Sequence, residues 1–144
     1  MNALTLILSL VTAEAPLPFA FGPPWDATFT EMGEALTAEG WEVRGDGETL
    51  FAFSGPLELT LRWDEDGFMA GVTLVERRGE AEEAQETFVD RLEALTAVYG
   101  EPSDAEDYYA RWEAAGYDVV LEVDDFFSAG ERVPAVLIRY LRNP

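Results

Sequence analysis

Residues 57 to 63 alternate without a break: Leu57, Leu59, Leu61 and Trp63 interleave with Glu58, Thr60 and Arg62. Period two marks a strand with one buried and one wet face. The runs around it have the same character. "WEVR", "TLFAF", "LELTLRW" and "FMAGVTLVE" are separated by the turn-forming stretches "RGDGE" (44–48), "SGP" (54–56) and "DEDG" (64–67), which predicts an antiparallel meander of four strands. Before it, the proline-rich "PLPFAFGPPW" (16–25) is an entry loop, followed by a helix. Thr28 and Glu31 fit a capping box, with Asp26 as the alternative cap, Phe29, Met32 and Leu36 share a face, and Gly40 stops the helix with Trp41 placed to pack back on it.

A longer helix is predicted over residues 80 to 99. Ala84, Phe88, Leu92, Leu95 and Tyr99 form its stripe, acids gather at its N-terminal end, and Gly100 and Pro102 end it. Residues 103 to 116 fit either a short helix capped by Ser103 and Glu106 or the first arm of a hairpin. The hairpin is preferred: Tyr108, Ala110 and Trp112 alternate with Tyr109, Arg111 and Glu113, the chain turns at Ala115–Gly116, and "YDVVLEV" returns with Val119, Leu121 and Val123 on one side and Glu122 and Asp124 on the other. The last strand is "VPAVLIRYLR", and Pro134 marks it as an edge strand or as a strand beginning.

At the N-terminus, Leu4, Leu6, Leu8 and Leu10 alternate with Thr5, Ile7, Ser9 and Val11. Residues 1–15 therefore read as a first strand, with a short signal peptide as the alternative. No Lys or Arg precedes the apolar run, which weighs against the leader. The sum is one α+β domain over residues 1–144: a curved antiparallel sheet (meander) with two helices packed on one face, in the order β-α-ββββ-α-βββ.

Charge changes the picture most. The chain carries 29 acidic residues against nine arginines and no lysine, a formal net charge of -20. Such a field repels nucleic acid and anionic membranes and suits a basic protein partner or a cation. Cysteine and histidine are both absent. That removes disulfides, thiolate or imidazole metal sites, cysteine nucleophiles and histidine bases, and without lysine there is no Schiff base. No cofactor and no metal is expected. "DEDG" fails the calcium-loop pattern, since the twelfth residue from Asp64 is Val75 rather than glutamate. Ser54, Ser103 and Ser128 lack a G-x-S-x-G elbow.

The expected function is accordingly non-enzymatic: an acidic binding protein that engages a basic protein, as an inhibitor or immunity-type neutraliser does. Tyr109, Arg111, Glu113, Glu122 and Asp124 on the hairpin, with Glu82, Glu83 and Glu86 on the second helix, are the candidate contacts. The alternatives are a secretion-chaperone-like protein, a decoy that mimics nucleic acid, an exported or envelope protein, and a hydrolase using carboxylates alone. A cytoplasmic location is favoured unless residues 1–15 are a leader.

Overall fold

The structure, a computed structural model, describes residues 19, 21–128 and 131–143, with the backbone alone for 125–128 and 131. The expected first strand or leader over 1–15 lies outside the described residues. Helix α1 is Phe29–Ala38. It is followed by strands β1 (Glu42–Gly45), β2 (Thr49–Ser54), β3 (Leu57–Trp63) and β4 (Met69–Arg77), then helix α2 (Ala81–Tyr99). Strands β5 (Asp104–Glu106), β6 (Tyr109–Ala114), β7 (Tyr117–Ser128) and β8 (Glu131–Arg142) complete the order.

Local chemistry explains most of these boundaries. The Thr28 side chain accepts from the Glu31 N–H, and the Glu31 carboxylate accepts from the Thr28 N–H, closing the capping box. At the other end the Trp41 N–H reaches the Leu36 carbonyl and the Gly40 N–H the Thr37 carbonyl. This is a Schellman stop that needs the left-handed backbone of Gly40, φ 90°. In "DEDG" one Asp64 oxygen accepts from the N–H groups of Asp66 and Phe68, so that carboxylate builds the turn. Asp46 does the same for Thr49 and Glu48, and those bonds hold its carboxyl below the ordinary aspartate range.

All eight strands form one open antiparallel sheet in the order β1-β2-β3-β4-β8-β7-β6-β5. Each half of the chain is thus a helix followed by a four-strand meander, and the halves meet where β4 pairs with β8. The order reads alike from both ends, and a glycine at positive φ, Gly40 or Gly100, ends each helix. One core cluster unites the inward positions of the strands with both helices. It includes Leu50, Leu61, Val72, Tyr140, Val119 and Trp112 from six strands, Met32 and Leu36 from α1, and Ala84, Phe88 and Leu95 from α2.

The structure also refines several expectations. The second meander has four strands, because Asp104–Glu106 pairs with β6. Of the two readings of residues 103 to 116, the preferred hairpin is the one observed, and the Ser103 hydroxyl donates to the Arg111 carbonyl beside β5. Tyr108 does not share the inward face of Ala110 and Trp112. It sits in the turn before β6 at φ 58° and is exposed, its ring edge-on to Phe88. Strand β8 is also central, not an edge. Its ladder with β4 begins at Ala135, so Pro134, which has no N–H to give, lies just past that ladder, where its carbonyl accepts from the Arg78 N–H beyond the end of β4. No helix among the described residues is long and apolar enough to cross a membrane.

Candidate functional site

The outward-pointing residues of the strands align into rows across the sheet. One row takes a residue from every strand: Glu42, Phe53, Glu58, Val75, Leu137, Glu122, Tyr109 and Glu106. Carboxylates and apolar groups share it equally. At ordinary strand spacing it runs about 34 Å. The adjacent row reads Arg44, Phe51, Thr60, Thr73, Arg139, Val120, Arg111 and Asp104. Together these rows and their flanks place five of the nine arginines at outward positions, namely Arg44, Arg62, Arg77, Arg111 and Arg139.

The arginines hold the carboxylates. Arg139 meets Glu122 at 2.5 Å and Arg111 meets Asp118 at 2.6 Å. Arg44 meets Glu42 at 3.1 Å, and Arg77 lies 3.9 Å from Glu58. Hydrogen bonding and charge from Asp118 raise the Arg111 guanidinium above its ordinary value, so it stays a cation throughout. At the middle of this face Val75, Ala135 and Leu137 form a second, closed apolar cluster. In register it lies between the Glu58–Arg77 pair and the Glu122–Arg139 pair. Half-buried Phe53 and Tyr109 stand in the same row, and Phe51 and Leu141 are the more open apolar groups, at 37% and 40% exposure.

Five of the eight expected contacts come together here. Tyr109, Arg111 and Glu113 on β6 share a face with Glu122 and Asp124 on β7, because Tyr109 pairs with Glu122 and Glu113 with Asp118. Glu82, Glu83 and Glu86 stand apart from them on the first turns of α2. The aromatic hairpin divides as alternation demands: Trp112 is sealed in the core while Tyr109 and Tyr117 are half-buried. Phe51, Phe53, Glu58, Arg77 and Arg139 were missed as members of this face. Their signal was parity, since Phe51 and Phe53 alternate with the inward Leu50 and Ala52, but only the register joins them to the hairpin.

The chain matches no known family model, no curated protein and no solved structure.

Two further groups of polar side chains lie inside. The first was not legible from the stripe assigned to α2: Arg91 is buried, and its guanidinium contacts both oxygens of buried Glu76 at 3.0 to 3.3 Å. Arg78 bonds the same carboxylate from the rim. The spacing of Ala84, Phe88, Arg91 and Leu95 puts the arginine on the inward stripe. The second group is aromatic. The Tyr99 and Tyr117 hydroxyls bond at 3.0 Å, and Tyr117 packs on Trp25 and Tyr140. Burial, then the bond to Tyr117, raises the Tyr99 phenol; burial, then Tyr117, raises that of Tyr140.

This fixes an alkaline behaviour. Above pH 10 the unfolded chain loses phenolic protons that folded Tyr99 and Tyr140 still hold, so stability falls as pH rises past that value. An ultraviolet phenolate titration should show these two of the five tyrosines silent until the protein unfolds, and Tyr99→Phe with Tyr140→Phe should remove that silent fraction. Five tyrosines titrating together before unfolding contradicts it.

Proposed function

We propose that this protein is a non-enzymatic binding protein that docks a basic protein partner on the outward face of its sheet, with both helices lying on the other face. The observation that carries the reading is the eight-residue row in which Glu42, Glu58, Glu122 and Glu106 are interspersed with the apolar side chains of Phe53, Val75, Leu137 and Tyr109. A partner's lysines and arginines compete with the protein's own arginines for those carboxylates, and Phe53 and Tyr109 supply rigid apolar contact. Inhibition or neutralisation of a basic enzyme or toxin is the kind of task this suits.

Charge is divided between two roles. Among the described side chains, the outward strand positions hold eight carboxylates and five arginines, far nearer balance than the 29 and nine of the whole chain. The acidic surplus therefore sits on the helices and turns, including Glu82, Glu83 and Glu86. That surplus steers the encounter, and the sheet face sets how long the complex lasts. Arginines interleaved along the face favour a protein partner over mimicry of nucleic acid, which calls for an uninterrupted anionic array.

The test uses the whole chain as bait in native lysate at low and high salt, then kinetics with the purified captured protein. A basic protein released by salt is expected. Tyr109→Ala should speed its dissociation about tenfold or more. Glu82→Gln, Glu83→Gln and Glu86→Gln together should slow association and leave dissociation unchanged. Capture of nothing at low salt, or dissociation indifferent to Tyr109→Ala and Phe53→Ala, overturns the proposal.

A further inference from the structure

We propose that the groove between α1 and the edge strand β1 takes an extended peptide of alternating basic and aliphatic residues as an added strand. This site is separate from the sheet face and does not depend on it. Among the described residues β1 pairs with β2 alone, so its other edge presents unpaired N–H and C=O groups. Helix α1 lies over this end of the sheet. Phe29 rests on Gly45, where a Cβ would overlap its ring, and Gly33 approaches the Leu50 side chain. Next to the buried Met32 and Leu36 and the half-buried Phe29, α1 turns short side chains toward the edge, leaving a shallow groove of about 630 Å³ that Phe29, Gly33, Thr37, Val43 and Leu50 help to line.

Strand geometry says what fits. A residue placed opposite Val43 in an added strand points to the same side of the sheet as Val43, into the groove, and its two neighbours point away. An aliphatic side chain fills that space, and main-chain bonds to β1 supply the rest. Charge selects the flanking residues. Residues 28 to 48 contain six carboxylates and one arginine, and that arginine, Arg44, is paired with Glu42. Glu34 stands at the groove with no ion pair among the described residues. The same charge opposes a second copy of this chain, which would bring two such acidic edges together, each on a molecule of net charge -20.

The probe is the peptide acetyl-Lys-Val-Lys-Val-Lys-amide, titrated into isotope-labelled full-length protein at low salt and followed by amide and methyl NMR. Saturable binding is expected, with slowed amide exchange at Glu42–Gly45 and shifts at the Val43 and Leu50 methyls. Thr37→Phe, which places a ring over the groove from an exposed position, should weaken binding about tenfold. Glu34→Lys should weaken it about threefold, with that loss vanishing at high salt. Both variants should keep the wild-type amide spectrum elsewhere, and the glutamate counterpart of the peptide should not bind. Shifts spread over the acids of α2 instead of β1 overturn the proposal. So does β1 protection already present without peptide, whether it grows with protein concentration, as a second copy would make it, or is lost on removing residues 1–18.

Discussion

Glu76→Gln is expected to destabilise the protein by about 3–5 kcal/mol, because it strips the counter-charge from a buried arginine while changing shape hardly at all. Glu76 and Arg91 are 4% and 7% exposed, so neither reaches bulk water. Arg91 offers Nε and a terminal nitrogen to the carboxylate, at 3.1 and 3.0 Å from the same oxygen. Arg78 stands nearer the surface, with its side chain 29% exposed, and can turn to solvent when the carboxylate is lost. Arg91 cannot, and keeps a desolvated charge. The pair joins β4 to α2, 15 residues apart in sequence, and so sets where the helix rests on the sheet.

The double variant tests that account. Glu76→Leu with Arg91→Leu should recover most of the loss, since apolar residues of similar size replace a buried ion pair with little net change. Urea unfolding of the wild type, Glu76→Leu, Arg91→Leu and the double variant measures the coupling. A cost under about 1 kcal/mol for Glu76→Gln would mean that Arg91 finds water without unfolding the helix contact.

Trp112→Ala is expected to cost about 3–5 kcal/mol, the range for removing a large buried aromatic side chain. Trp112 is 1% exposed, and its indole N–H donates to the Gly100 carbonyl at 2.8 Å. It therefore fills the core under β6 and also ties down the end of α2. Trp112→Phe separates the two effects: it keeps much of the volume and loses the bond, for about 1 kcal/mol plus a small packing term. Against a total stability of roughly 5–15 kcal/mol, the alanine variant leaves little margin. Tyr109 and Arg111 sit on the opposite face of the same strand, so affinity for the proposed basic partner should fall with it even where the fold survives. Thermal melts with partner titration check both, and a Trp112→Ala melt within a few degrees of wild type contradicts the packing account.

Much of the architecture was written in local patterns. Leu57, Leu59, Leu61 and Trp63 are all buried, as their alternation with polar neighbours demands. The hairpin turning at Ala115–Gly116 and the helix ending before Gly100 follow from the same rules of period and turn chemistry. Where local pattern failed, the reason was also local. Asp104–Glu106 is too short and too polar to show a period, and becomes a strand only because β6 offers it an edge. Tyr108 continues the alternation of Ala110 and Trp112 on paper, yet its left-handed backbone takes it out of the strand.

The candidate site was half legible. Tyr109, Arg111, Glu113, Glu122 and Asp124 share a face because alternation along two neighbouring strands requires it. Their electrostatic state was not legible. Glu122 reads as a surplus acid until Arg139, 17 positions later, is placed beside it by the β7–β8 register. The sheet face reads as acidic until its arginines are counted in space.

Sequence by itself determined the kinds of most elements, many of their limits, the alternation within the longer strands, and which catalytic chemistries lack their side chains. These depend on neighbours within a few residues, where hydrogen-bond geometry and side-chain spacing act directly. Only the tertiary structure decided that β4 lies against β8, that Arg91 is buried on Glu76, and which carboxylates of the open face are neutralised. Those outcomes rest on contacts between distant parts of the chain, and many sequences with the same local periods could have closed them differently.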